Sequence, residues 1–468
     1  MGALNNDTFE TLVPSRFISF SFPNPDPHHP ANPHGDFLRV AVLDSPLLAA
    51  SVPKCAALLA PKGREPDWIF STEQGHFQLL FNSPGVSRLV LIGDPPQAND
   101  SSCAVYMRPK HEYGVSYQEK LTPLLFALAP KEAFRYGVPD IPFISYEDNV
   151  IRRVSVAYYA GQIVGDMVVE DVEIETGSPA TQLRRRLRFK RMPNLVQTAV
   201  RLLPGAQIGK SGSDSTLFRL ETGVMTQSYL EAMAAGLSLL GPWLENNDLS
   251  GVSPPRVLCL GVGGGALLMF LCAWFEFDLL GIEADEAVLT VARRYFGLTE
   301  GICSSSVASE VARFWAGLDR GNKVDSLENT GISCNSKIDD KTRFLSNCCV
   351  HVIMVDLDSS DARNGLSAPP LEFVDVSVLQ AARLVLHEDG ILVVNVIPPS
   401  NAFYLRILTE LKGVFSELYE IDVGNGENYV LIATVSPIGF DARGSRNRVA
   451  DKLKMVIEGR YLEGIRRL

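Results

Sequence analysis

The stretch Arg256-Val-Leu-Cys-Leu-Gly-Val-Gly-Gly-Gly-Ala266, followed by Leu280-Gly-Ile-Glu-Ala-Asp285, decides the fold. An apolar run of strand length breaks into glycines, and an amphipathic segment from Ala266 to Phe275 follows. A second apolar run then ends in Glu283, 22 residues after Gly261. This is the sequence form of a strand, a glycine turn, a helix, a second strand and a carboxylate, a unit that binds nucleotide-like ligands. Gly261, Gly263 and Gly265 suit it because the turn is tight and a Cβ would keep the ligand off the backbone. Glu283 suits it because a ribose diol offers two hydroxyl donors and one carboxylate accepts both.

Downstream, His351-Val-Ile-Met-Val-Asp356 is another apolar strand, ending in acids where a fourth strand would reach the same crevice. Gly390-Ile-Leu-Val-Val-Asn-Val396 is a further strand, with a helical segment behind it. Glu417 to Val423 and Tyr429 to Val435 then follow, joined through Gly424-Asn-Gly426, a strong hairpin signal. The chain predicts an α/β fold with a Rossmann-like, seven-stranded sheet over residues 210–436 that closes in an antiparallel hairpin. Within it, residues 319–347 are polar and aperiodic and predict a disordered surface insertion.

Upstream, residues 1–35 are rich in Pro, Asn and His and predict a flexible arm. Residues 36–165 alternate strand-like runs (Leu38 to Leu43, Val86 to Ile92) with helical ones (Ser116 to Leu128), a small α/β module to which the sequence assigns no chemistry. Residues 166–209 read as a β-hairpin region. Residues 437–468 predict a C-terminal amphipathic helix, with Leu453, Val456, Ile457, Tyr461, Leu462 and Ile465 near one face, packed on its own domain.

Read literally, Gly261-x-Gly263-x-x-Ala266 also satisfies a dinucleotide fingerprint, so NAD is a candidate cofactor. Three features favour S-adenosylmethionine. The unit opens only at residue 256, behind a long region of different composition. The strand ending at Asp356 reaches the same crevice. The sheet finishes in a hairpin where a dinucleotide domain would continue with βα units.

Leu258-Cys-Leu-Gly-Val-Gly-Gly-Gly265 with Gly281 to Leu298 resembles the spermidine-synthase-like branch of the S-adenosylmethionine-dependent methyltransferases. Val352-Ile-Met-Val-Asp-Leu-Asp-Ser-Ser-Asp361 and Ala368-Pro-Pro-Leu-Glu-Phe-Val374 narrow the resemblance. They are similar to the catalytic half of the animal dual methyltransferases that modify elongation factor 1A at its N-terminus and at a lysine. Gly63 to Gly75, Val169 to Val172 and Arg184 to Leu203 extend the likeness upstream, and it is weak at residues 1–60 and 318–347. The resemblance implies a methyltransferase sheet, S-adenosyl-L-methionine as cofactor and elongation factor 1A as protein substrate. With one cofactor motif visible, only the activity on the N-terminal α-amine carries over. The resemblance puts the adenine amino contact at Ser309, with Glu310 beside it, and the helix covering the cofactor at Tyr229 to Leu237. The sequence departs from the pattern at Cys259, where many methyltransferases carry an acid, and in lacking a histidine pair near Tyr229.

Methyl transfer from a sulfonium is an in-line displacement whose leaving group needs no proton, so the protein's task is to align donor and acceptor. An α-amine, with a pKa of about 7.7–8, is partly neutral at cytosolic pH, whereas a lysine at about 10.4 is not. Asp356 and Asp358 alternate at the C-terminal end of their strand, where ligands bind in open α/β sheets. They are the candidate catalytic carboxylates, and Asp356 is also a candidate cofactor contact. The alternative is that Asp358 and Asp361 cap the turn that begins there.

Composition sets the outer bounds. At 468 residues, 46% hydrophobic and 21% charged, the chain has room for two or three domains. No apolar run approaches the roughly 18 residues a membrane span requires. Eight cysteines show neither metal spacing nor a secreted framework, which predicts no metal, reduced thiols and a cytoplasmic protein. Cys259 and Cys272 read as packing residues. A net charge of −11 disfavours nucleic acid as a partner. The run Arg184-Arg-Arg-Leu-Arg-Phe-Lys-Arg191 reads as a solvated strand face beside the acidic strand Val168 to Glu175, or else as a docking surface. A homodimer is compatible with all of this.

Two other readings stay open. Asp358-Ser-Ser-Asp361 is similar to the catalytic loop of polyamine synthases, which transfer an aminopropyl group. Here Ala362 follows in place of proline, and the Tyr-His-Glu or Tyr-Gln-Glu element is missing. The last reading is a methyltransferase-like scaffold that serves as an interaction module without catalysis.

Overall fold

The computed structural model describes residues 6–27, 36–46, 52–95, 105–109, 115–146, 148–177, 180–204, 218–240, 254–299, 303–304, 350–359, 368–438 and 448–468. The expected 319–347 insertion and the candidates Ser309, Glu310 and Asp361 lie outside them. The described residues form three sheets.

The first sheet contains β1 (Phe17–Pro23), β2 (Phe37–Asp44), β3 (Cys55–Leu59), β4 (Arg88–Gly93) and β6 (Phe143–Ile144), in the order β1-β2-β4-β3-β6. Alternation along β2 separates two cores. Val40 and Val42 pack towards α3 (Val115–Leu128), while Ala41 and Leu43 pack towards α1 (Trp68–Ser71) and α2 (Glu73–Phe81). The expected loose arm is corrected here: β1 pairs antiparallel with β2 from Phe17↔Leu43 to Pro23↔Phe37. Phe17-Ile-Ser-Phe-Ser-Phe22 alternates, and Ile18, Phe20 and Phe22 cover the α3 side of the sheet. The Pro-rich flanks conceal that period in the sequence.

The second sheet is antiparallel, in the order β11-β10-β9-β8-β7-β5. Its strands are β5 (Val105–Met107), β7 (Val150–Gly161), β8 (Gly165–Glu175), β9 (Thr181–Phe189), β10 (Val196–Pro204) and β11 (Phe218–Glu221). The expected hairpin region is therefore the middle of a six-stranded sheet, and the boundaries at 165/166 and 209/210 cut through it. β7 escapes a sequence reading because Arg152, Val156 and Tyr158 are exposed along it and its apolar alternation is incomplete.

The basic run does lie beside the acidic strand, with Arg186 opposite Glu170 and Arg185 opposite Asp171; Lys190 is exposed as expected, but Arg186 and Arg188 are largely withdrawn from solvent. Arg188 bonds Glu170 at 2.8 Å and Asp67, at the start of α1, at 3.0 Å. Arg64 and Arg153 also reach Asp67, and Arg186 reaches Glu170. Burial alone would raise the Glu170 carboxyl, but Arg186, Arg188 and Arg153 together hold it down at about 2. Each charge here is paired, the condition under which buried ions are tolerated.

The third sheet has the order β14-β13-β12-β15-β16-β18-β17-β19. Its strands are β12 (Arg256–Leu260), β13 (Asp278–Ile282), β14 (Cys303–Ser304), β15 (Val350–Val355), β16 (Leu386–Val396), β17 (Glu417–Asp422), β18 (Tyr429–Thr434) and β19 (Arg466–Arg467). β12 to β16 are parallel, and β18 enters antiparallel between β16 and β17. That is the expected seven-strand arrangement with a terminal hairpin, and β19 adds an eighth strand at the edge. Val352 to Val355 of β15 are buried on both faces, which explains that apolar run. α4 (Ser228–Ala235), α5 (Ala266–Trp274) and α6 (Glu286–Val291) pack on one face, and α7 (Val376–Val385) and α8 (Asn401–Val414) on the other. Cys259 is buried in β12 as expected, but Cys272 is exposed in the last turn of α5.

The tail differs from one continuous helix. It forms α9 (Arg448–Lys454) and α10 (Gly459–Glu463), separated near Gly459, a residue unfavourable within helices. Leu453, Ile457, Tyr461, Leu462 and Ile465 nevertheless bury against the third sheet's own core. No helix among the described residues is long and apolar enough to cross a membrane.

Candidate functional site

The glycine turn joins β12 to α5 at the C-terminal edge of the parallel strands. Gly261, Gly263 and Gly265 have φ of +86°, +53° and +86°, the left-handed region that glycine enters without a steric penalty. A Cβ on Gly261 would stand 2.1 Å from the carbonyl oxygen of Asp356. Gly265 is the residue before α5. The second sheet reaches into this turn, since Gly264 N donates to Thr198 Oγ1 at 2.7 Å.

Glu283 lies beneath the turn rather than on the cavity wall. Its Oε2 accepts from Val262 N at 3.1 Å and Gly263 N at 3.3 Å, and its Oε1 from Ala284 N at 2.9 Å and Asp285 N at 3.3 Å. Burial pushes its carboxyl upward, opposed by these four amides. A carboxylate has about four acceptor positions, so Glu283 already fixes the loop geometry and a ribose would have to share it. Asp285 has another task. Its Oδ1 caps α6 at Ala287 N, and its Oδ2 accepts from Ile163 N at 2.7 Å and Val164 N at 3.0 Å in the β7–β8 turn. A Cβ on Gly161 would meet that Oδ2 at 2.3 Å.

In front of the turn is a cavity of about 320 Å³, at the lower end of the size of small-molecule sites. Gly261, Gly263, Asp356 and Asp358 line it, together with Thr198, Tyr229, Asn395 and Glu427. The structure thus brings four sequence candidates to one cavity, leaves Glu283 and Gly265 as its scaffold, and puts α4 against it through Tyr229 and Leu230.

The two aspartates have different surroundings. Asp356 accepts from Tyr229 Oη at 3.1 Å on Oδ2 and from Asn395 Nδ2 at 3.1 Å on Oδ1. Burial pushes its carboxyl up to about 6, with Asp358 adding to the rise and the two hydrogen bonds opposing it. Burial, then the Asp356 charge, raises the Tyr229 phenol well above its usual value, so it stays a donor. Asn395 in turn accepts from Asn428 Nδ2 at 2.9 Å, and Asn428 accepts from Asn425 at 2.8 Å, which ties Asp356 to the β17–β18 hairpin. Asp358 is paired instead with Arg191 at 2.7 Å and accepts from Gln197 Nε2 at 3.0 Å. Both its oxygens are engaged across the crevice, so it is neither a free carboxylate nor merely a turn cap.

Sequence reasoning missed Arg191, Gln197, Asn395 and Asn428. Asn395 left a signal, as the one polar residue in an otherwise apolar strand core, Ile391 to Val396. Arg191 was hidden at the end of the basic run.

The strand order, the glycine turn and the crevice position define a Rossmann-like sheet of the methyltransferase type. No protein-family model matches the chain. The chain is similar to the eEF1A lysine and N-terminal methyltransferase of Xenopus laevis, 28% identical over 410 residues, which are 83% of this chain and 52% of that protein. With the Homo sapiens protein of the same name it shares 28% identity over 418 residues, 85% of this chain and 53% of that one. The chain spans about half the length of the curated relatives it matches. Among solved structures, human methyltransferase-like protein 13 in complex with SAH matches with a TM-score of 0.35 at 26% identity, covering 50% of this chain and 92% of that one.

Proposed function

We propose that this chain is an S-adenosylmethionine-dependent protein methyltransferase that acts on an α-amine, with the N-terminus of elongation factor 1A as the favoured acceptor. The observation that carries the reading is the cavity between the Gly261–Gly265 turn and Asp356, whose carboxyl is held near 6 beside a phenol and an amide. The backbone of Gly261 and Gly263 approaches Asp356 and Thr198 too closely for a Cβ, and the cavity in front of the turn is of a size for a small molecule. The names of the relatives supply the acceptor class, and a cytosolic site of action goes with that acceptor.

Gly261, Gly263 and the Glu283-braced turn would hold the cofactor, which supplies a methyl group on a sulfonium. The chain's own residues do the rest. Tyr229 and Asn395 fix the Asp356 carboxylate, and Asp356 accepts a hydrogen bond, then the proton, from the acceptor nitrogen. The acceptor nitrogen would give its lone pair to the methyl carbon of the bound sulfonium, and the electrons of the C–S bond would stay on sulfur as it left. Leu195, Val196 and Leu267 give the cavity an apolar stretch of wall.

Aminopropyl transfer fits less well. A diamine needs an anionic partner for each end, and Asp358 is already paired with Arg191. Incubation with labelled cofactor, elongation factor 1A and putrescine, followed by mass spectrometry of the factor's N-terminal peptide, tests the proposal. Methylation of the α-amine is expected. Label confined to internal lysines, or aminopropyl transfer to putrescine, would refute it.

A further inference from the structure

The first sheet and its helices carry no residue of the cavity, yet they grip the segment that does. Between β9 and β10 the chain turns through residues 190–195, held by Met192 N to Phe189 O at 3.2 Å and Leu195 N to Met192 O at 3.0 Å. On the side facing the N-terminal module, Asn194 N donates to Gln78 Oε1 of α2 at 2.7 Å. Tyr146 Oη donates to Asn194 Oδ1 at 3.4 Å. Arg188, anchored on Asp67, donates to Pro193 O at 2.7 Å. On the opposite side the same turn sends Arg191 to Asp358 Oδ1 at 2.7 Å and to Ser359 O at 2.8 Å. Gln197, at the start of β10, completes the Asp358 carboxylate at 3.0 Å.

We propose that the N-terminal module works on methyl transfer through Gln78, a positioning residue that holds the 190–197 segment so that Arg191 keeps Asp358 paired and against the cavity wall. The inference rests on the reading of the cavity as a methyl-transfer site. Its chemical content is a division of labour between the aspartates. With Arg191 in place, the Asp358 charge is compensated, which leaves Asp356 in the buried part of the cavity and Glu427 on its exposed side. If Arg191 drifts, Asp358 becomes a second uncompensated anion beside Asp356. Its charge then raises the Asp356 carboxyl further and draws the acceptor ammonium away from the line of attack. Gln78 is buried, and its Oε1 is the acceptor that ties Asn194 N to α2. Asn194 itself is exposed, so losing Gln78 frees the turn to move rather than burying an unpaired donor.

The test compares the full chain with Gln78→Met, which keeps the bulk and cannot accept from Asn194, Gln78→Glu, which keeps the acceptor, Arg191→Gln, and the Gln78→Met/Arg191→Gln double variant. Acceptor kcat/KM should fall about tenfold in Gln78→Met and recover in Gln78→Glu, with the dissociation constant for S-adenosylmethionine unchanged. The lower inflection of the pH profile should move upward in both Gln78→Met and Arg191→Gln, and the double variant should be no worse than Arg191→Gln alone, because both act through one contact. Additive losses, an unmoved inflection, or a loss of cofactor affinity as large as the loss of turnover would overturn the proposal. Should Gln78→Met not fold, Tyr146→Phe, which removes one hydroxyl from Asn194, carries the same comparison at smaller amplitude. If the wild-type chain methylates no α-amine, the functional reading fails on its own. Amide hydrogen exchange then decides the brace: faster exchange over 190–198 in Gln78→Met upholds it, and unchanged exchange overturns it.

Discussion

Tyr229 and Asp356 are 127 residues apart in sequence, and the phenolic Oη of the first donates to Oδ2 of the second at 3.1 Å. The bond joins α4 to the end of β15 at the cavity, and under the proposed function turnover should depend on the ionisation of Asp356. With the carboxyl near 6, log kcat/KM should rise with pH through about 6 as Asp356 ionises. It should rise again towards about 7.7–8 as the acceptor amine loses its proton. Asp356→Asn should abolish the lower inflection and cut turnover by about 10²-fold or more, the range of general-base contributions, with a smaller effect on cofactor affinity. An unchanged pH profile in that variant would remove Asp356 from the chemistry.

The same group predicts a stability trend. Its folded pKa lies above the unfolded value of 3.8, so between these the native state binds more protons than the unfolded one. The contribution is fully present below about 3.8, and stability falls as pH rises through about 6. Urea midpoints of wild type and Asp356→Asn across pH 4 to 7 check this. The variant should lack that slope.

Tyr229→Phe removes one of the two hydrogen bonds that pull the Asp356 carboxyl down. The lower inflection should therefore move above 6, with the ring's packing retained. An inflection that stays put or moves down would show that the phenol does not act on Asp356.

Glu283→Ala removes both oxygens and with them the acceptors of four amides, whereas Glu283→Gln keeps one oxygen and sets an NH2 donor against the other pair. Hydrogen bonds to a charged group contribute about 1.5–3 kcal/mol, so cofactor affinity by titration calorimetry should fall at least tenfold. The melting temperature should fall too, because the loop is held by the same atoms. Lost affinity at an unchanged melting temperature would mean that Glu283 contacts only ligand.

Gly261→Ala tests the turn from the other side. Its Cβ would press on the Asp356 carbonyl at a φ of +86°, so both the melting temperature and cofactor binding should drop. A variant that binds normally would contradict the close approach at the β12 end.

The third sheet was legible because its signals are local: Val257 to Leu260, Val352 to Val355 and Ile391 to Val394 are buried and read as short apolar runs. The glycine turn declares itself by backbone conformation. The partners of Asp356 and Asp358 were not legible, because Tyr229, Arg191 and Gln197 come from strands and helices more than a hundred residues away. β1 was lost for a different reason, since the alternation of Ile18, Phe20 and Phe22 runs into a proline-rich stretch and composition outweighed period. Glu283 shows a subtler limit. Its position was readable, but a sequence cannot say how many of a carboxylate's acceptor positions the backbone has already taken.

The bonds from Gly264 to Thr198 and from Ile163 and Val164 to Asp285 have a consequence for how the molecule is made. They close over 66, 122 and 121 residues of sequence, and in each case the second-sheet partner precedes the nucleotide turn. On the ribosome, therefore, the antiparallel sheet emerges first and can stand as a template when the glycines arrive. A fragment beginning at residue 210 would have to shape the same turn without Thr198 and without the β7–β8 corner. Such a fragment should reach its native form slowly and hold it weakly, even though every strand of its own sheet from β12 onward is present.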